Sequence, residues 1–358
     1  NLRQLDLEVS SNANLGVIEN LVNLQWLSIE TSQTISVDRL EKLSELQHLS
    51  FNRTLSVNLK GLKKFTNLKG IGLFHTRVEN VQELVELSNL ETLNLSDTHI
   101  TRIDGLERLS CLREINISNP GLHNWNSICR LTQLESLVAS DHEITNLEEL
   151  STLVSLTSLS LTGTNITSLS GVEGLIKLKE ISLKNTGINN LKALSRMTDL
   201  EYIDVSHSCV ASLDEINSLV NLQKIDLSYS KITTIPKWIG ALRNLVFLNL
   251  SGLALHSIPQ ELNQLRLPYS FSNNHRYNSD NDIRLYGTTL ATQPISLFEQ
   301  PRELIDAYFA ETQIPVNEAK VIFLGDGGVG KTHTIRRIHN NGEQGEYNTK
   351  TTPGINIT

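Results

Sequence analysis

The sequence predicts an α/β fold: a horseshoe-shaped solenoid with parallel strands on its concave face, followed by the start of a phosphate-binding α/β domain. Three observations predict it. A leucine recurs every 22 residues through most of the chain, the composition changes near residue 236, and a glycine-rich loop joins a strand pattern to a helix pattern between residues 319 and 338.

The recurring leucines are Leu2, Leu24, Leu46, Leu68, Leu90, Leu112, Leu134, Leu156, Leu178, Leu200 and Leu222, with Leu245 one residue late. Each opens the pattern L-x-x-L-x-L, as in Leu90-Glu-Thr-Leu93-Asn-Leu95 and Leu156-Thr-Ser-Leu159-Ser-Leu161. The last two apolar positions alternate with polar ones, which is the period of a half-buried strand. Apolar residues then continue at turn-like spacing, as in Ile166, Leu169, Val172, Leu175 and Leu178. This period is that of the leucine-rich repeat. One such unit cannot bury its own leucines, so units stack and share a continuous core. After each strand, where such repeats often carry asparagine, this chain has Thr54, Thr76, Thr98, Thr164 and Thr186, or Ser32, Ser208 and Ser230. A hydroxyl there satisfies neighbouring backbone groups in the same way. Pro120 and His142 break the pattern and mark looser turns.

Charge and composition exclude several function classes. The net charge of −8 over 358 residues comes without a basic block, which argues against nucleic acid or an anionic membrane surface as the main partner. Aromatics make up only 5%, so the core is aliphatic, and no apolar run approaches a membrane span. Cys111, Cys129 and Cys209 lack metal-binding spacing and read as buried or half-buried thiols in a reducing, cytoplasmic setting. The chain begins without Met or a signal peptide, which reads as a trimmed start. The ten histidines are scattered, and no Ser-His-Asp, Cys-His or paired-carboxylate constellation stands out.

Of eight prolines only Pro120 precedes residue 236. The repeats there change style to Ile232-Thr-Thr-Ile-Pro236 and Leu255-His-Ser-Ile-Pro259, with proline entering the convex turn. Residues 272–282 are polar apart from Tyr277 and read as a solvated insertion, Asp280 and Asp282 included. Ile283-Arg-Leu285-Tyr286-Gly-Thr288-Thr-Leu290 then replays the strand and turn of Leu248–Leu255, so it is the last repeat, delayed by the insertion. Pro301–Phe309 suits a helix that covers the end of the core, with Leu304, Ile305, Tyr308 and Phe309 on one face. The domain reading is thus 1–293 for about 13 repeats with an insertion near 268–282, 294–317 for capping helix and linker, and 318–358 for the phosphate-binding part.

Outward strand positions, read in register, place Trp26, His48, Arg53, Phe74 and His75 in one group and Tyr202, His207, Tyr229 and Phe247 in another. Small neutral residues such as Asn94, Ser96, Asn116, Ser118, Ser158, Ser160 and Ser182 lie between. Two aromatic patches on a bland surface are anchors for a peptide or protein partner on the concave face.

Ala319–Leu324 is strand-like, and Gly325-Asp326-Gly327-Gly328-Val329-Gly330-Lys331-Thr332 follows at once, ahead of a helix start. This is G-x-x-x-x-G-K-T in its strand–loop–helix context. Glycines let backbone N–H groups wrap phosphates, Lys331 reaches the β- and γ-phosphates, and the Thr332 hydroxyl holds Mg²⁺. Thr352, with Thr351 in reserve, stands about 20 residues on, where switch GTPases close a threonine over Mg²⁺ and the γ-phosphate.

Repeats followed by LYGTTLATQP, PRELIDAYFAE and EAKVIFLGDGGVGKT resemble the Roco family, in which repeats precede a Ras-like GTPase domain (Roc) and a dimerisation domain (COR). The resemblance implies GTP and GDP as ligands with Mg²⁺, phosphate contacts from Gly325, Gly330, Lys331 and Thr332, a switch role for Thr352, and a homodimer formed through COR. The D-x-x-G and N-K-x-D elements of such a domain do not occur before Thr358, so the chain as given is expected to bind nucleotide weakly and not to turn over. The alternative reading is an internalin-like scaffold acting through its concave face without nucleotide. An ATP-using signalling NTPase ranks last, because its nucleotide module usually precedes its repeats.

Overall fold

The computed structural model describes residues 2–9, 15–78, 80–119, 121–122, 126–141, 143–271 and 281–311. The chain divides into two compact units, Asn1–Ile305 and Asp306–Thr358. The first is the solenoid. Of the second, Asp306–Glu311 are described, as the remainder of a helix. The expected linker after residue 311 and the phosphate loop, Gly325 to Thr332 with Thr352, lie outside the described residues.

The 22-residue period is realised as one parallel sheet. It begins with β1 (Gln4–Val9) and β2 (Trp26–Thr31). Beyond a short side strand β3 (Thr34–Ser36) come β4 (His48–Ser50), a second side strand β5 (Ser56–Asn58), β6 (Gly70–Gly72), β7 (Thr92–Asn94), β8 (Glu114–Asn116) and β9 (Ser136–Val138). The sheet continues with β10 (Ser158–Ser160), β11 (Glu180–Ser182), β12 (Tyr202–Asp204), β13 (Lys224–Asp226) and β14 (Phe247–Asn249). Each strand pairs with the next in unbroken register, for example Trp26 with His48 and His48 with Gly70. The middle residue of each short strand is buried and its two neighbours face outward, so the inward rows of leucine and isoleucine form one continuous core. Each fully buried leucine contributes about 2 kcal/mol.

The return segments correct the α/β expectation: among the described residues they are 3-10 turns, and α1 (Arg302–Glu311) is the one α-helix. The reason lies in the spacing. Ile103, Leu106, Leu109 and Leu112 recur every third residue, which is the period of a 3-10 helix. Their backbones form the matching bonds: Leu109 N–H donates to Leu106 O at 3.0 Å and Leu112 N–H to Leu109 O at 3.0 Å. The same spacing, repeated at Leu147, Leu150, Leu153 and Leu156, puts every leucine of the segment on one buried face. Pro236 and Pro259 sit at the N-caps of such turns in extended conformation, as the composition shift suggested.

The threonines at the strand exits do cap carbonyls. Thr98, Thr164 and Thr186 each donate, at 2.7 Å, to the carbonyl three residues back, while Thr54 reaches Ile29 O at 3.0 Å in an earlier repeat. Ser32 does not take this place, being exposed while Thr31 is buried. Pro120 and His142 lie outside the described residues. The adjacent Asn119 is buried, and its Nδ2 donates to Ile100 O at 2.8 Å.

At the far end the delayed repeat is real. A short β15 (Ala254–Leu255) follows β14 in a separate two-stranded sheet, and β16 (Tyr269–Ser270) comes next in sequence. Yet β17 (Ile283–Arg284) pairs directly with β14, and β18 (Thr289–Leu290) pairs with β15. The sheet order is therefore β14-β17-β16, and the earlier strand is pushed to the edge. Two expectations for the insertion change accordingly. Residues 269–270 are strand, not loop, and Asp282 is buried beside Arg284 at 3.3 Å rather than solvated. Asp280 lies outside the described residues. The edge is closed by Phe298, whose ring meets Tyr269 at 4.9 Å, and by the buried Ile305. Arg302 donates to the carbonyls of Leu267 and Asn263. Leu304, expected on the same covering face, is exposed.

Candidate functional site

On the concave sheet the first outward row runs from Gln4 through Trp26, His48, Gly70, Thr92 and Glu114 to Tyr202, Lys224 and Phe247. The second runs from Asp6 through Ser28, Ser50, Gly72 and Asn94 to Asp204, Asp226 and Asn249. Trp26, His48, Tyr202 and Phe247 therefore stand where the sequence placed them. Arg53, Phe74, His75, His207 and Tyr229 do not.

Those five lie beyond the strand ends, on the loops of one rim. Arg53, His75, His207 and Tyr229 adopt φ between +52° and +57°, and Asp97, Asp141 and Asn185 in the same loop position adopt φ between +54° and +59°. Each such residue donates its N–H to the next repeat: His207 to Ser228 O at 2.9 Å, and Tyr229 to Ser251 O at 2.9 Å. The bond to the neighbour fixes the left-handed turn, and the turn swings the side chain off the sheet and onto the rim. There His207 and Tyr229 stack at 4.7 Å with planes 14° apart. Arg53 lies 6.0 Å above the Phe74 ring.

The N-terminal half of the concave face contains a hollow of about 320 Å³, lined by residues from Trp26 to Val138. Trp26, 41% exposed, packs its ring against His48 at 4.6 Å. Next to them both outward positions of β6 are glycine. A Cβ at Gly70 would lie 2.3 Å from His48 Nδ1, and one at Gly72 would lie 2.9 Å from Ser50 Oγ. The two glycines make room for the side chains of the preceding repeat, which lean across them and form the floor. Burial lowers the pKa of His48, with Lys69 adding to the effect and Glu91 opposing it, so the ring is neutral near pH 7. Ser50 Oγ is buried here without a protein partner.

Further along, the second row forms a ladder of side-chain acceptors. Asn94, Asn116 and Asn249 each accept the N–H two residues on, from Ser96, Ser118 and Ser251. Asp204 and Asp226 do the same for Ser206 and Ser228 at 2.8 and 2.9 Å. Burial raises the Asp204 pKa, and Asp226 adds to it, while the Ser206 bonds and Lys184 pull the other way. Tyr202, also raised by burial first and then by Asp204, hydrogen-bonds Asp204 Oδ2 at 3.4 Å. Phe247 is buried, with the Arg284 guanidinium 4.6 Å from its ring centre, and so is a packed rather than a free aromatic.

Cys111 and Cys209 are exposed, against expectation, and only Cys129 is buried, which pushes its thiol up to about 12. Among the described residues no three metal-ligating side chains converge, and no helix is long and apolar enough to cross a membrane. What the concave face offers is stacking, charge and hydrogen bonds.

Reading the sequence singled out Trp26 and His48 but missed Gly70, Gly72, Asp204 and Asp226. The signal for the glycines was present in Leu68-Lys-Gly-Ile-Gly-Leu73, where both polar positions of the strand pattern lose their side chains.

A family model for leucine-rich repeats in two copies matches residues 88–129. No curated protein sequence matches the chain. Among solved structures it is similar to a leucine-rich-repeat protein of Leptospira interrogans, at 24% identity and a TM-score of 0.66, covering 82% of this chain and 80% of that one. An internalin of Listeria monocytogenes gives 19% identity, a TM-score of 0.63 and 76% coverage of each chain. The Arabidopsis receptor kinase HAESA, solved with a peptide hormone and a co-receptor, gives 22% identity and a TM-score of 0.57, covering 71% of this chain and 47% of that one. These likenesses establish the leucine-rich-repeat solenoid.

Proposed function

We propose that the chain is an interaction scaffold that holds a peptide or an extended protein segment on its concave face. The observation that carries this is the hollow beside the Trp26–His48 stack, open on a sheet whose outward residues from β6 to β11 are small or polar apart from Val138. A receptor of the same fold, solved with a peptide hormone, supports the reading. A photo-crosslinking amino acid at Ser158, on the concave face, is expected to give discrete adducts in a cell extract, and one at Ser151, on the return turn, none. Equal adducts from both positions would overturn the reading.

A second reading keeps the nucleotide switch, on the strength of Gly325-Asp-Gly-Gly-Val-Gly330-Lys331-Thr332. In it the repeats are the regulatory arm of a cytoplasmic, Roco-type GTP-binding protein that dimerises through a further domain. Lys331 and the loop glycines hold the phosphates of GTP or GDP, and Thr332 and Thr352 hold Mg²⁺. Titration with fluorescent GDP and fluorescent ADP in Mg²⁺, beside Lys331→Ala, tests it. Guanine binding lost in the variant supports the switch, and no binding of either nucleotide leaves the scaffold alone.

A further inference from the structure

We infer that the hollow between Trp26 and Glu114 takes an extended, positively charged peptide, with one cationic side chain on the Trp26 face and another opposite Glu114. This deepens the scaffold reading above and rests on it. The argument combines shape and charge. From β1 to β12 the two outward positions of each strand include the acids Asp6, Glu114, Glu180 and Asp204 and no lysine or arginine. The nearest cations, Lys69 and Arg113, stand at the strand entrances, where Glu91 and Glu135 pair with them. From β1 to β12 the outward strand positions therefore carry acids and no base, a balance that attracts a basic segment.

Shape selects which part of that face. Glycine inside a strand marks a place of close approach, and here the approaching groups are the His48 ring and the Ser50 hydroxyl of the preceding strand, which floor the hollow. In β6 both outward positions are glycine, flanked by the Trp26–His48 stack on one side and Thr92 on the other. The exposed Trp26 ring is a cation–π platform, and the neighbouring Lys69 is paired with Glu91. From β2 to β9 the sheet advances by five strand steps, in the order β2-β4-β6-β7-β8-β9. At about 4.8 Å per step this is roughly 24 Å, the length of about seven extended residues. A peptide of that length spans the whole hollow and places a second basic residue beside Glu114.

The test is a phage-displayed library of random nine-residue peptides selected on the chain. The enriched peptides are synthesised and titrated by fluorescence anisotropy against the wild type, Trp26→Ala, Glu114→Lys, Glu180→Lys and Tyr229→Ala. Each variant changes an exposed or half-exposed side chain, and circular dichroism checks that the fold is kept. Enriched peptides should carry arginine or lysine beside apolar residues, bind at least 10-fold more weakly to Trp26→Ala and to Glu114→Lys, and bind Tyr229→Ala like the wild type. Enrichment of neutral or acidic peptides overturns the inference. So do peptides that ignore Trp26→Ala and Glu114→Lys yet respond to Glu180→Lys, and that pattern leaves the scaffold reading standing. Recovery of no peptide that responds to any concave substitution overturns both.

Discussion

The ring of Tyr229 lies on the backbone of Gly252: a Cβ at residue 252 would sit 2.3 Å from Tyr229 Cε1. Gly252 also has φ +69°, a conformation that costs an L side chain about 1 kcal/mol. Gly252→Ala therefore combines a steric and a torsional penalty, and it should destabilise by about 2–3 kcal/mol in denaturant unfolding. In a Tyr229→Ala background only the torsional part remains, so the same substitution should cost about 1 kcal/mol there. An equal loss in both backgrounds would mean that the ring moves aside freely.

Gly171 and Gly174 lie three residues apart and predict opposite outcomes. A Cβ at Gly171 would meet Leu147 O at 2.4 Å, a backbone atom, at φ +105°, whereas one at Gly174 meets nothing within 4 Å. Gly171→Ala should cost about 3 kcal/mol or more, and Gly174→Ala should fall within about 0.5 kcal/mol of the wild type. Urea midpoints at constant m-value decide this.

The threonine caps make a graded prediction. Thr186→Val keeps the shape but leaves the buried Leu183 carbonyl without its 2.7 Å partner, for a loss of about 1–2 kcal/mol. Thr76→Val should cost more, because that hydroxyl donates to Phe51 O and also accepts the Thr54 N–H at 3.2 Å. Similar losses at the two sites would show that the second bond contributes nothing.

Asp204 predicts a pH-dependent gain. Its folded-state pKa is raised, so the folded chain favours the protonated form. Stability is then highest below the ordinary carboxylate pKa and declines as pH rises through the raised value. Asp204→Asn keeps an acceptor for Ser206, as Asn94 does for Ser96 at the equivalent place, and it removes the buried charge. Its melting temperature should exceed that of the wild type at pH 7, and the difference should vanish on acidification. A variant less stable than the wild type at pH 7 would show that the charge-assisted Ser206 bonds, with Lys184, more than offset the burial.

The leucine spacing made the solenoid readable because a single period encodes both the strand and the three-residue step of the return turn. The delayed last repeat was readable for the same reason, since Ile283–Leu290 copies the pattern of Leu248–Leu255 at every position but Thr288, which stands where Leu253 does. The rim was not. Nothing in the pattern around His207 or Tyr229 announces a left-handed turn, because asparagine, aspartate and glycine, which signal one, stand at only some rungs of that ladder. Those side chains looked outward from the sheet, whereas the turn aims them along its edge. The strand at Tyr269–Ser270 was equally hidden, because Leu267-Pro-Tyr-Ser keeps too little of the repeat's apolar pattern to be recognised.

The order β14-β17-β16 bears on how the molecule assembles. Every earlier strand meets its neighbour after about one repeat of chain, so the array can grow from any starting point by adding adjacent units. Tyr269 cannot do so, for its partner is Ile283, which has first to settle against Leu248. The final rung thus closes like a latch, through a pairing that needs the chain to turn back on itself. A chain cut before Ile283 would lose β17 and β18 together with Phe298 and Arg302, and it would leave Tyr269–Ser270 without a strand to pair with.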